Sequence, residues 1–317
     1  MPPRSFDRTR LQMAPIQIQR ITTFLCWTYL CCYSIQHLPP PSPVVVWSAP
    51  HCNFGDLALN ASAKNWRPPV SFEERLRGAL IPPALYYVLR ARRELKRGEA
   101  ELRILPFLID PQRISVDAGA NKGVYTYWLE RLSAGVHAYE PNPKMFDVLK
   151  RGVGSKATVH HAALSDQAGS FALRIPKTAR GTYSNQGGSL NHQKVGDSYG
   201  EVLVETRRLD DEPLTNIGFL KIDVEGHEMA VLDGALATIA RDRPTLLIEM
   251  EQQHTGRPIE DDLKRVTDLG YRMLFLHRGV LNSGDRFDPK SHHTDAPSPT
   301  DYVFNFIFVP SEKASPV

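Results

Sequence analysis

Beyond residue 52 the chain has no cysteine; all four, Cys26, Cys31, Cys32 and Cys52, come before that point. The main fold therefore has no disulfide framework and no cysteine-based metal site. Such usage fits a cytosolic enzyme. Acid is scarce at the start, where Asp7 is the only carboxylate between Met1 and Asp56. The apolar run ITTFLCWTYLCCYSI stops at 15 residues and carries Thr, Tyr and Ser, short of the roughly 20 residues of a membrane-spanning helix. A strong charge of one sign is also missing. The net charge of +3 is too small to imply a nucleic-acid partner. No internal repeat is visible.

A chain of 317 residues has room for one large α/β domain with extensions. Residues 1–70 read as an N-terminal extension, broken by HLPPPSP and RPPV more densely than a packed domain would be. Three readings fit it: a disordered upstream segment, an interfacial membrane anchor, or a targeting peptide. Residues 71–98 form a helical segment on both sides of Pro82-Pro83, and its second half is basic (Arg90, Arg92, Arg93, Lys96, Arg97). A solvated helix face explains the charges, and so does contact with an acidic substrate or a lipid surface. The main domain is expected over 99–310, with 311–317 as a tail.

A short helix over 99–107 leads into an alternation of strand and helix. Strands are predicted at ISVDA (114–118), VHAYE (136–140), ATVHHAAL (157–164), IGFLKIDVE (217–225) and TLLIEME (245–251). Helices are expected over 122–132, 143–151, 226–240 and 260–269. GSFALRI and VLVETRRL read as an inserted β pair, and YRMLFLH and YVFNFIFVP as the last strands. Such alternation implies an α/β fold whose mostly parallel sheet is covered on both faces. The last two strands lack a helix between them, which suits an antiparallel edge. The polar, glycine-rich stretch 176–200 is long for a loop in a compact domain. It reads as a substrate lid or as a variable surface loop.

The turn after the first strand, VDAGANKG, opens a nucleotide-type βα unit with Gly119 and Gly123. Asn121 stands where a dinucleotide fingerprint has its middle glycine, and Asp117 sits at the mouth. A carboxylate there repels a pyrophosphate. It favours a ligand with an ammonium and a positive centre, as in S-adenosylmethionine. Glu140 ends the second strand 21 residues after Gly119, a spacing that suits hydrogen bonds to ribose hydroxyls. Residues 162–166, with Ser165 and Asp166, would border the adenine.

VDAGANKGVYT, YEPNP, HAALSD, LKIDVEGHEMAVLDGA and LLIEME together resemble the FkbM-type methyltransferases, from about Glu99 to Pro310. The resemblance implies a Rossmann-like class I methyltransferase fold, with a seven-stranded, mostly parallel sheet and an antiparallel edge strand. It implies S-adenosyl-L-methionine as cofactor and O-methylation of a sugar or polyketide hydroxyl. By similarity, Asp117, Gly119, Asn121, Gly123 and Glu140 fall on cofactor positions, and Asp223 and Glu225 on the family's acidic motif. No Asn-Pro-Pro-Tyr or Asp-Pro-Pro-Tyr tetrapeptide occurs, unlike enzymes that grip an exocyclic amine in nucleic acid.

Asp223, Glu225 and Glu228 crowd the end of the fourth large strand, and such crowding can raise a carboxylate's pKa and make it a base. Asp223 is expected to orient or deprotonate the acceptor, and Glu225 to shape the turn or help position it. Glu228 reads as a helix-start residue, and His227 and His254 are further candidate bases. Asp223, Glu249 and His254 could hold a cation, but no spacing demands a metal. The acceptor is expected to be a small molecule or glycan, and the location cytoplasmic, or membrane-associated through the N-terminal segment. An N-methyltransferase, a non-catalytic binding protein of this fold and a dinucleotide-binding domain are the alternatives.

Overall fold

The computed structural model describes residues 66–178, 182–184, 188–191 and 198–313. The extension expected over 1–70 falls outside these except for its last residues, 66–70. Trp66 packs edge-on against Tyr183, Arg67 pairs with Asp147 at 3.2 Å, and Lys144 Nζ donates to the Pro69 carbonyl.

Two helices open the described chain. Helix α1 (Phe72–Leu80) starts at a capping box: Ser71 Oγ accepts from Glu74 N, and Glu74 accepts from Ser71 N. Helix α2 (Pro83–Arg97) has proline at its first position, where the ring's fixed φ suits a helix and no amide is needed. A 3₁₀ turn over 100–103 and α3 (Leu105–Leu108) follow.

The alternation then proceeds as β1 (Ile114–Ala118), α4 (Val124–Leu132), β2 (Gly135–Tyr139), α5 (Pro143–Gly152) and β3 (Ala157–His160). Next come β4 (Ala163–Leu164), β5 (Gly169–Pro176), β6 (Tyr199–Arg207) and β7 (Ile217–Ile222). Helices α6 (Glu228–Asp233) and α7 (Leu236–Asp242), β8 (Thr245–Glu249), α8 (Gln252–Thr255) and α9 (Ile259–Thr267) lead to β9 (Tyr271–His277), β10 (Val280–Ser283) and β11 (Asn305–Pro310).

The main sheet runs β10-β9-β11-β8-β7-β1-β2-β3. Strands β1, β2, β3, β7 and β8 pair in parallel, and β11 is antiparallel to both β8 and β9. Without the short hairpin strand β10, this is the seven-stranded order of the Rossmann-like class I methyltransferase fold. The antiparallel strands stand at the expected end of the sheet, and β11 inserts one place inward from β9. A second sheet, β4-β6-β5, carries the inserted pair.

Strand β7 is buried at every position, as a central parallel strand covered on both faces must be. One face packs Val116, Leu220, Ile222, Leu246 and Ile248 under α6, α7 and α9. The other packs Val136, Phe219, Leu247 and Ile307 against Leu102, Leu105 and Leu129.

Three elements differ from the sequence reading. The stretch 157–164 splits, because the chain leaves the main sheet after His160 and Ala163–Leu164 pair with β6 instead. The helix expected over 226–240 breaks at Gly234, where a Cβ would stand 1.9 Å from the Ser165 carbonyl oxygen. The helix expected from 122 starts at Val124, because Asn121 and Gly123 take left-handed φ of 49° and 79°.

Candidate functional site

The chain order reverses between β1 and β7, and a cleft opens beyond the carboxyl ends of these strands, where open α/β sheets bind ligands. Gly119, Asn121, Glu140, Asn142, Asp223, Glu225, His227 and Glu249 are among its lining residues. The second sheet supplies a wall through Leu173, and the 176–200 stretch reaches the cleft through Gly188 and Leu190. That stretch is tied to the site: Ser189 Oγ donates to the Glu225 carbonyl, and Asn191 Nδ2 to the carbonyls of Gly226 and His254.

Glu140 follows β2 directly. Its Oε2 accepts from Asn121 N at 2.7 Å and its Oε1 from Asn142 N at 2.8 Å. The carboxylate thus clamps the glycine turn to the start of α5 and still faces the cleft. Burial pushes its pKa up to about 7, against the pull of the two amides.

Asp117 lies beneath the turn, fully buried and outside the cleft lining. Its Oδ2 accepts from Thr126 Oγ1 at 2.6 Å, while Oδ1 has no hydrogen-bonding partner among the described residues. Burial raises its pKa, and nearby Lys221 opposes the shift. Gly119 lines the cleft, and its own Cβ space is filled by the Asp223 carbonyl oxygen, 1.7 Å from where a Cβ would be. Gly123 does not approach the cleft. A Cβ there would stand 2.4 Å from Leu149 and 2.6 Å from Tyr87, so this glycine admits α2 against the turn.

The sheet register assembles an acidic group around one ammonium. Asp117 is opposite Lys221, and Ile222 is opposite Ile248, so Asp223 and Glu249 are neighbours one step further on. Lys221 Nζ donates to Asp223 Oδ2 at 2.7 Å and lies over the Tyr125 ring. Burial disfavours its charge, but Asp223, Asp117 and Glu99 more than compensate and hold its pKa above the usual value. Glu249 is raised well above the carboxylate range by burial and then by Asp223, to which it is hydrogen-bonded.

Glu225 takes φ 59° and Gly226 φ 94°, a tight turn closed by Glu228 Oε1, which accepts from Gly226 N at 2.8 Å and Val224 N at 3.3 Å. Burial pushes Glu228 up to about 7, so its contribution to stability is full below the unfolded pKa of about 4.5 and is lost as pH rises through about 7. Relative to Glu228→Gln, which does not titrate, the native chain should lose about 3 kcal/mol between those limits. Urea titrations of both proteins across that range measure it, and parallel profiles would contradict the assignment.

His227 lines the cleft, with Nε2 2.9 Å from Ser165 Oγ, and burial lowers its pKa. Ser165 Oγ donates to Asp166 Oδ1. Neither Ser165 nor Asp166 lines the cleft; the preceding Ala163 and Leu164 do. His254 is also outside the lining, its Nε2 3.7 Å from Glu251 Oε1. Sequence reasoning passed over Lys221, whose position inside the apolar strand IGFLKI was the available signal. It also passed over Glu99, which lines the cleft and accepts from Tyr125 Oη at 2.6 Å and Asn305 Nδ2 at 3.0 Å.

Residues 117–273 match the model of the methyltransferase FkbM domain. Methyltransferase sdnD of Sordaria araneosa is 29% identical over 152 residues, 38% of this chain and 59% of that protein. Methyltransferase 1 of Beauveria bassiana is 32% identical over 141 residues, 38% of this chain and 57% of that protein. Hexuronic acid methyltransferase AglP of Haloferax volcanii is 30% identical over 148 residues, 45% and 58% of the two. The chain thus spans less than three fifths of the length of these curated relatives. Among solved structures, methyltransferase FkbM from Methylobacillus flagellatus KT is similar at 19% identity and a TM-score of 0.40, covering 62% of this chain and 44% of that one.

Proposed function

We propose, because residues 117–273 match the methyltransferase FkbM domain model, that the chain is an S-adenosylmethionine-dependent O-methyltransferase acting on a hydroxyl of a sugar, glycolipid or polyketide-like small molecule. The observation that carries this reading is the Asp223–Glu249 pair, set in a cleft whose floor is the glycine turn and whose side is Glu140. Similarity to a hexuronic acid methyltransferase supports a sugar acceptor.

The residues fit the cofactor. Asp117 lies beneath the turn, outside the cleft lining, with Oδ1 unpartnered among the described residues, so it favours a positively charged ligand through the turn rather than by direct contact. Glu140 has both oxygens engaged by backbone amides and keeps lone pairs for ribose hydroxyls. When bound, the cofactor supplies a methyl group already activated by a positive sulfur. The chain's own task is to align the acceptor oxygen and take its proton. Asp223 lines the cleft, held by Lys221 Nζ and hydrogen-bonded to Glu249, and is the group assigned to accept that proton. A hydroxyl becomes strongly acidic as its oxygen accepts a methyl group, so a carboxylate of ordinary basicity suffices. Glu225 shapes the turn that presents Asp223.

Mass analysis of products, after incubation with labelled S-adenosylmethionine and a glycan and lipid extract, tests the reaction. A gain of one methyl on oxygen is expected. A methyl on nitrogen would replace the acceptor assignment, and no transfer with intact cofactor binding would favour a binding protein. Titration calorimetry should show binding of S-adenosylhomocysteine and none of NAD, whose pyrophosphate meets Glu99, Glu140 and Asp223.

The same calorimetry gives a pH prediction. Glu140 accepts hydrogen bonds best when ionised, so S-adenosylhomocysteine should bind more tightly at about pH 8 than at about pH 6. Glu140→Gln should weaken binding by about 1.5–3 kcal/mol at the higher pH and flatten the profile. An unchanged affinity in the folded variant would remove Glu140 from the ribose.

A further inference from the structure

Helix α1 is built inside out. None of its residues is buried, and the side turned toward the domain is polar: Glu74 pairs with Lys144 at 2.7 Å, and Arg77 lies over the Tyr86 ring. The opposite side carries Phe72, Leu76 and Leu80 at four-residue spacing, 79%, 49% and 71% exposed. A surface helix of a globular domain has the reverse arrangement.

Helix α2 extends the feature. It buries Tyr87 and Ala91 and leaves Leu85 and Leu89 half exposed. Exposed Arg75, Arg92, Arg93, Lys96 and Arg97 flank these side chains. Over residues 72–97 there are seven Arg and Lys against three Glu, and one of the three, Glu74, is already paired.

We propose that the outer faces of α1 and α2 form a docking surface for a membrane containing anionic lipid. An apolar stripe bordered by cations matches the boundary between acyl chains and acidic headgroups. A second copy of this chain fits poorly, because a symmetric contact would set basic patch against basic patch. The preceding sequence has the same character: Asp7 is its only acid before Asp56, and residues 21–35 are apolar. The surface is separate from the cleft, whose lining includes no residue of α1 or α2.

Flotation of the full chain with phosphatidylcholine vesicles, with and without phosphatidylserine, tests this. Binding is expected only with phosphatidylserine and should fall as salt is raised. The double variant Phe72→Ser, Leu80→Ser should lower partitioning by at least about tenfold. Arg92→Glu with Arg93→Glu should remove the dependence on phosphatidylserine. Neither pair packs in the core, so S-adenosylhomocysteine affinity serves as the folding control. Absence of binding to the anionic vesicles would overturn the proposal. So would full binding by the double variant, which would locate the contact upstream, or a concentration-dependent dimer that the same variant abolishes.

Discussion

Asparagine at position 223 should lower methyl-transfer turnover by about 10²–10⁴-fold, the usual loss when a general base is removed, while S-adenosylhomocysteine binds nearly as before. Asp223 lines the cleft with Lys221 Nζ 2.7 Å from its Oδ2, and Glu249 beside it is the carboxyl whose pKa burial and Asp223 raise. The substitution is close to isosteric, and the amide oxygen can still accept from Lys221, so the fold should survive. The site's anchor to the sheet is also kept, because Asp223 N donates to the Ala118 carbonyl through the backbone. Turnover and calorimetric affinity can be measured on one preparation with the acceptor found by product analysis. Near-normal turnover would take Asp223 out of proton acceptance and turn attention to His227, the histidine in the lining.

Alanine at position 119 should be the most damaging glycine-to-alanine change among the described residues. Gly119 has φ 82°, and the added carbon would stand 1.7 Å from the Asp223 carbonyl oxygen, a backbone atom that cannot swing away. Two costs add: left-handed strain and overpacking. Together they should amount to about 3 kcal/mol or more, and relaxation of the clash would move Asp223 and abolish cofactor binding. Gly279→Ala supplies the contrast. Its φ is 76°, but among the described residues nothing lies within 4 Å of the new carbon, so it should cost about 1 kcal/mol from strain alone. Urea denaturation of the two variants separates the clash from the strain. Equal losses would mean that the β1 turn and the β7 end are not packed as described.

Most strands of this fold were readable from sequence, because a buried parallel strand declares itself as a β-branched and aliphatic run between turn residues. The late start of α4 comes from the local left-handed turn at Asn121 and Gly123, but the break in the next long helix involves a distant residue. The carbonyl of Ser165 leaves no room beside Gly234, and no pattern inside 226–240 reveals that. At the site, Asp117 and Glu140 stood out through the glycine turn, yet the two glycines serve different neighbours. Gly119 yields to Asp223, and Gly123 to a tyrosine from the helices upstream. The sequence grouped Asp223 with Glu249 only as part of a possible cation set with His254, and their direct pairing was not legible. It exists only because β7 lies beside β8, and strand order is a property of the whole sheet. The lysine in IGFLKI was visible, but its meaning needed the carboxylates that surround it.

The placement of β11 inside the sheet bears on how the chain becomes a folded protein. Asn305 hydrogen-bonds Glu99 across 206 residues of sequence, and β11 joins β8 to β9. Until residues 305–310 have left the ribosome, β8 has an open edge and the β9–β10 hairpin has no strand to dock on. One wall of the cleft, through Glu99 and Asn305, waits for the same event. Completion of the site therefore waits for β11 and depends on contacts far apart in sequence, the kind that form slowly. During synthesis the exposed rim of β8 is a strand edge open to wrong partners.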